Sequence, residues 1–151
     1  MRTFRAWATR LIRRRRAADT AGFTIDTPGL TVVADAFDDT EAASSVLDRA
    51  SQWDPRRHAV LRHHLVLPVE SVPSARELLA EEGWTLRACE ADPHPVPAGL
   101  DPAANRFVAV RVQHLDALSC SQEASRMASL LQRLRGRALG WDALQPHDRG
   151  S

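Results

Sequence analysis

Arg62-His63-His64-Leu65-Val66-Leu67-Pro68, with Ser71-Val-Pro-Ser-Ala-Arg-Glu-Leu-Leu-Ala-Glu-Glu-Gly83-Trp84 shortly after it, is the stretch that decides the fold. It predicts a buried strand, a tight turn, a helix and the start of a second strand. The strand extends from about residue 57 to residue 67, and its alternate side chains share a face. That face carries Ala59, Leu61, His63, Leu65 and Leu67. We therefore expect His63 to lie among apolar neighbours.

The helix that follows is marked by residues typical of helix ends. Ser71 or Ser74 can supply the N-cap, and Ser74 with Glu77 has the spacing of a capping box. Pro73 suits the first turn, where its missing N–H costs nothing. Gly83 can adopt the left-handed conformation that ends a helix.

The other elements are predicted from the same periodicities. Before the central strand they are a strand at 30–37 and a helix from the acidic turn 38–41 to about Trp53. After the helix that ends at Gly83 they are strands at 84–90 and 106–114, a helix at about 119–136 and a strand at 139–144. A second capping box, Ser119 with Gln122, is predicted to open the last helix, and Gly136 to end it. The proline-rich stretch 92–105 is predicted to be a long connection.

From residue 57 onward, the element order predicts an α+β fold of the ferredoxin-like βαββαβ type. In that fold two helices cover one face of a four-stranded antiparallel sheet. We expect one domain at 30–145, with an extra β-α element at 30–56 and the ferredoxin-like unit at 57–145. The extra element adds to an edge or forms a degenerate half-repeat. Residues 1–29 are predicted to be a basic tail and linker, and 146–151 a disordered C-terminus.

The charge of the chain is divided unevenly along its length. Its 151 residues have a formal net charge of +1, and all twenty basic residues are arginines. The first sixteen residues contain no acid, and their arginines are Arg2, Arg5, Arg10, Arg13, Arg14, Arg15 and Arg16. The remainder carries thirteen arginines against nineteen acids, a net of −6. Because lysine is absent throughout, the arginines indicate a GC-rich bacterial genome more than selection for bidentate phosphate contacts.

The arginine-rich segment 1–16 is also partly amphipathic, since Phe4, Trp7, Leu11 and Ile12 follow helical spacing. Three kinds of partner are open for it: an anionic membrane surface, the phosphates of a nucleic acid, or an acidic protein. A solvated terminus without a partner is the alternative. No apolar stretch approaches the roughly 20 residues needed to span a bilayer. We expect a cytoplasmic location, with membrane contact only at the surface.

Residues suited to catalysis or metal binding do not form a recognisable motif. Cys89 and Cys120 make no CxxC pair, and free cysteines are typical of a reducing compartment. No nucleophile–base motif or glycine-rich phosphate loop is present in the sequence. We predict no catalytic, cofactor-binding or metal-binding residues. A small enzyme using His63, His114 or Cys120 is the least favoured alternative.

Three short motifs stand out in the predicted βαββαβ unit. They are His63-His-Leu-Val-Leu-Pro68, Leu79-Ala-Glu-Glu-Gly-Trp84 and Gly136-Arg-Ala-Leu-Gly-Trp-Asp-Ala143. They resemble the opening strand, the helix-to-strand junction and the closing motif of the regulator of ribonuclease activity B family, the ribonuclease E inhibitors. Of the closing motif the chain keeps Gly136, Gly140, Trp141 and Ala143. The resemblance covers about residues 57–145 and does not extend to the first third of the chain.

The resemblance implies a regulatory module without cofactors that binds the ribonuclease or its scaffold region and performs no catalysis. Trp and Arg are favoured anchors of protein interfaces, so the candidate partner-binding residues are Trp141, Arg126, Arg133, Arg137 and His63. Core packing is the alternative role for Trp141 and His63. The alternative function is peripheral association with nucleic acid or a membrane surface through the N-terminal arginines. The oligomeric state does not follow from the sequence.

Overall fold

Within the residues that the structure describes, the fold is an α+β arrangement of one five-stranded antiparallel sheet and three helices. The computed structural model describes residues 24–89 and 105–147. The elements are β1 (Leu30–Ala36), α1 (Ala43–Arg49), β2 (Ala59–Leu67), a 3-10 turn (Val69–Ser71), α2 (Val72–Glu81), β3 (Thr85–Ala88), β4 (Asn105–Gln113), α3 (Ala117–Arg133) and β5 (Arg137–Pro146). The predicted order of strands and helices is therefore confirmed for these residues.

The sheet has the strand order β1-β5-β2-β4-β3, and every neighbouring pair is antiparallel. β2 is the central strand. It pairs along its whole length with β4, from Ala59 opposite Gln113 to Leu67 opposite Asn105, and with β5 on the other side. All its residues but Arg62 are buried, which agrees with the predicted buried strand.

One face of the sheet packs against all three helices. Buried side chains from every strand of the sheet and from α1, α2 and α3 form a single cluster there. β1 lies beside β5 at one edge, and α1 packs against α3. The first strand and helix therefore extend both layers of the sandwich, so that the helix layer contains three helices.

The opposite face of the sheet holds a smaller apolar cluster built on Val60, Val108 and Val110. It also holds a buried ionic group. Two guanidinium nitrogens of Arg62 donate to the Asp142 carboxylate, Nε at 2.7 Å from Oδ1. His64 Nε2 lies 3.2 Å from the same oxygen. Asp142 is only 1% exposed, so this charge depends on its partners.

Both predicted capping boxes are wrong, for different reasons. The box at Ser74 and Glu77 lies inside α2, which already begins at Val72. Ser71 stands at the N-cap position, but its hydroxyl makes no cap bond and donates instead to the Leu134 carbonyl at 2.8 Å. α3 begins three residues earlier than the box at Ser119 requires: its N-cap is Asp116, whose carboxylate accepts from the Ser119 N–H at 2.8 Å. The acidic turn 38–41 likewise does not cap α1, whose N-cap is Ala42.

The ends of the last helix and last strand also differ from expectation. Arg135, not Gly136, has the positive φ, of 58°. Gly136 is needed for space, since a Cβ there would lie 2.6 Å from the Val66 carbonyl oxygen. Gly83 does take the predicted left-handed conformation, with φ of 86°. β5 continues to Pro146, beyond the predicted domain boundary at residue 145.

Several predictions fall outside the described residues. They concern the tail and its seven arginines within 1–23, the connection at 92–104, and 148–151 at the C-terminus. No helix in the parts of the chain that the structure covers is long and apolar enough to cross a membrane.

Candidate functional site

A groove opens on the helix side of the molecule between α2 and α3. α2 packs over β3, whereas α3 packs over β5 and against α1, so the two helices lean on different parts of the sheet. One end of the gap is closed where Ser71 Oγ donates to the Leu134 carbonyl. The open part has a volume of about 730 Å³. We call it the α2–α3 groove.

The lining of the α2–α3 groove combines apolar and charged side chains. The apolar residues are Leu78, Leu79, Trp84, Met127 and Leu130, and the charged ones are Glu81, Glu82, Arg111, Glu123, Arg126 and Arg133. Leu78 is 37% exposed, one of four large apolar side chains in the described regions with this degree of exposure. The groove therefore offers apolar surface flanked by charges, which is the general composition of a protein interface.

The floor of the groove is held by Arg111. Its guanidinium carbon lies 4.1 Å from the centroid of the Trp84 ring, in the range of a cation–π contact. The same guanidinium forms an ion pair with Glu123 and donates to Gln113 Oε1 and to the Glu82 carbonyl, the latter at 2.9 Å. Glu123 offsets the charge of Arg111, so the floor is close to neutral.

The walls of the groove carry the charges that have no such partner. Arg126 and Arg133 are exposed on α3, and neither has an ion-pair partner in the described parts of the chain. Seven residues apart, they lie two turns apart on one side of the helix. Glu81 and Glu82 stand on the opposite wall, also exposed.

His63 lies below this floor and does not reach the surface. It is 3% exposed, and its ring meets the Trp84 ring edge-on at a centroid distance of 5.1 Å. Burial, with a smaller contribution from the positive charge of Arg111, lowers the pKa of His63 to about 3. Its Nε2 has no hydrogen-bond partner within the described ranges. His63 is thus a neutral core histidine that supports Trp84.

The structure separates the five predicted partner-binding residues. Arg126 and Arg133 line the α2–α3 groove. Arg137 is exposed at the start of β5, away from the groove lining. Trp141 is 5% exposed and belongs to the core cluster, directly opposite His63 in the β2–β5 ladder. The burial of Trp141 and His63 favours their core-packing interpretation, since neither ring is accessible to a partner.

Sequence reasoning missed the residues that form the groove floor. Trp84 and Arg111 are adjacent because Thr85 pairs with Val110 in the β3–β4 ladder, which places the residue before Thr85 next to the residue after Val110. Only the register of β3 against β4 shows that Trp84 and Arg111 are neighbours, and the sequence does not reveal that register. Glycine at position 83 followed by an aromatic residue marks a strand start, but it does not reveal which side chain lies across from it.

Two of the three residues named for the enzymatic alternative, His63 and Cys120, are buried. Burial raises the pKa of the Cys120 thiol to about 12, so the nucleophilic thiolate is not formed near neutral pH. Within 24–89 and 105–147, no group of three His, Cys, Asp or Glu side chains is close enough to hold a metal ion.

Comparisons with known proteins give no neighbour: no protein-family model, no curated protein and no solved structure matches this chain.

Proposed function

We propose that the protein is a regulatory module that binds another protein through the α2–α3 groove and performs no catalysis itself. The observation that carries the proposal is the pair Arg126 and Arg133, two exposed cations beside the partly exposed Leu78. Arginine is among the residues that contribute most to binding energy at interfaces. The neutralised Arg111 on Trp84 supplies a firm floor on which a partner side chain can rest.

We propose a ribonuclease E-type RNA-processing enzyme, or its scaffold region, as the partner. This part rests on the motif resemblance of residues 57–145 to the ribonuclease E inhibitors. We further propose that those residues form a ferredoxin-like unit. The order β5-β2-β4-β3 supports this, because it places the first and third strands of the unit at its centre. A cytoplasmic location belongs to the same proposal.

Association with an anionic surface through the N-terminal arginines is the second candidate. The concentration of seven arginines and no acid in residues 1–16 favours it. Binding of this kind weakens steeply as salt concentration rises, because each neutralised phosphate releases a counterion. Deleting those residues would abolish it, whereas binding through the α2–α3 groove would survive the deletion.

Affinity capture from a bacterial extract separates the two candidates. The immobilised proteins are the full chain, the double variant Arg126→Glu/Arg133→Glu, and a version that starts at Thr20. Arg56→Glu/Arg135→Glu is a matched control, because it makes the same charge change at two exposed arginines that neither line the groove nor belong to the predicted partner-binding set. We expect the ribonuclease, identified by mass spectrometry and then tested as a purified protein, to be retained by all but the groove variant. Equal capture by the groove variant, or no specific capture at all, would contradict the proposed function.

A further inference from the structure

Two histidine rings meet at one end of the central strand pair, outside the α2–α3 groove. The last pair of the β2–β4 ladder is Ala59 with Gln113, so His58 and His114 are the next residues along each strand. Their ring centroids lie 3.9 Å apart, and the ring planes are inclined at 43°. His58 is half-buried and His114 is exposed.

The backbone beneath this pair is fixed by a buried amide. Gln145 is 2% exposed, and its Nε2 lies within hydrogen-bond distance of three carbonyl oxygens in the turn before β2. These are the oxygens of Asp54 at 2.9 Å, Arg57 at 3.2 Å and His58 at 3.3 Å. Its Oε1 accepts from the Asp54 N–H at 2.9 Å. The amide thus fixes the position from which the His58 side chain projects.

The second strand is fixed just beyond His114. Leu115 is 4% exposed and part of the core cluster. Asp116 then caps α3 by accepting from both the N–H and the hydroxyl of Ser119, each at 2.8 Å. Both histidines therefore project from backbone that the core holds in place.

We propose that His58 and His114 form a binding site for a divalent transition-metal ion such as Cu²⁺, Ni²⁺ or Zn²⁺. Neutral imidazole is a common ligand for these ions. A metal–nitrogen distance of about 2.1 Å allows two nitrogens on one ion to be at most about 4 Å apart. The ring centroids are 3.9 Å apart, so a turn of one ring is enough to bring one nitrogen of each ring within that span. Because the His114 ring is exposed, it can turn its ring nitrogen toward a shared ion without disturbing the core.

The site supplies two protein ligands, and water completes the coordination. A third His, Cys, Asp or Glu does not join the pair in the described regions. Structural zinc sites use four protein ligands and catalytic ones usually three, so we expect weaker binding here than in either class. For nitrogen ligands, affinity rises from Ni²⁺ to Cu²⁺ and falls again at Zn²⁺, which predicts that Cu²⁺ binds most tightly.

Isothermal titration of the tag-free full chain with each of the three chloride salts tests the site. We expect one ion per chain at this site. His58→Gln and His114→Gln should each weaken its binding at least about tenfold, because either change leaves a single imidazole ligand. His147→Gln is the matched control, since it removes an exposed histidine at the end of β5, and it should leave affinity unchanged.

Thermal unfolding gives a second readout that does not depend on the calorimetric fit. An ion that bridges β2 and β4 binds the folded chain more tightly than the unfolded one, so it raises the melting temperature of the wild-type protein by mass action. The double variant His58→Gln/His114→Gln should lose that rise. Three results would each overturn the proposal: no saturable binding of any of the three ions, unchanged affinity in His114→Gln, or a metal-dependent rise that persists in the double variant.

Discussion

Replacing Asp142 by asparagine should destabilise the protein far more than the same replacement at its neighbour Asp35. The two aspartates lie directly opposite each other in the β1–β5 ladder. The side chain of Asp142 is 2% exposed and that of Asp35 is 51% exposed. Each pairs with an arginine, Asp142 with Arg62 and Asp35 with Arg49. The comparison therefore varies burial while chemistry, strand pairing and substitution stay nearly constant.

The size of the effect follows from the loss of the buried carboxylate. Asparagine offers Arg62 one acceptor and turns an N–H₂ donor toward the other guanidinium nitrogen. Breaking a buried ion pair costs about 3–5 kcal/mol. Arg62 is 30% exposed and recovers part of its hydration, so we expect about 2–3 kcal/mol for Asp142→Asn. An exposed pair contributes at most about 1 kcal/mol, which bounds the cost of Asp35→Asn.

Urea unfolding followed by circular dichroism at pH 7 measures both values. Burial alone would raise the pKa of Asp142, but hydrogen bonds from His64 and Arg62 outweigh it and hold that pKa below its usual value. A carboxylate with a lowered folded-state pKa stabilises the fold above its unfolded pKa of about 3.9, and that stability is lost as pH falls through the folded value. The gap between wild type and Asp142→Asn should therefore shrink in acid. Equal destabilisation by the two substitutions at pH 7 would refute the reasoning.

Three further changes test other parts of the fold. His63→Leu should reduce the loss of stability in acid. In the wild-type protein the folded-state pKa of His63, about 3, lies far below the ordinary 6.5, so its free energy of unfolding falls by about 2–3 kcal/mol between pH 6.5 and pH 4.5. Identical pH profiles of the two proteins would contradict this. Gly140→Ala should be severely destabilising in urea unfolding, because φ at this position is 149° and the new Cβ would lie 2.5 Å from the Ala36 carbonyl oxygen. A decrease of less than about 1 kcal/mol in the free energy of unfolding would count against this close approach. Asp116→Ala should cost about 1 kcal/mol through loss of the α3 cap, whereas Ser74→Ala, at the predicted but unused cap, should be close to neutral in the same assay.

The parts of the fold that the sequence predicts well depend on repeated local spacing. The 9 residues of β2 and of β4 were placed to within about two residues at each end. Alternation is repeated along each strand, so a single unusual residue does not disturb it. The placement of His63 among apolar side chains follows from the same alternation and is confirmed by its burial.

The wrong predictions concern polar side chains that can form a hydrogen bond either with a local partner or with one that is distant in sequence. Ser71 has the sequence context of a cap, but the Leu134 carbonyl, 63 residues away, takes its hydroxyl. Gln145 was placed just beyond the closing strand, yet it is 2% exposed and anchors the turn before β2. Such choices are set by which elements become neighbours, and local spacing contains no information about them.

The position of α1, the helix of the N-terminal β-α element, explains why the α2–α3 groove on the other side of α3 is open. Val46 and Leu47 of α1 are buried, and α1 packs against α3. α3 thus obtains its apolar lateral contact from α1, and α2 is not required to cover it. Leu78 and Leu130, which two adjacent helices would bury between them, remain in the groove, partly exposed. The element formed by β1 and α1 lies outside the residues that carry the motif resemblance. It nevertheless leaves the α2–α3 groove uncovered, and this groove is the surface through which we propose that the partner binds.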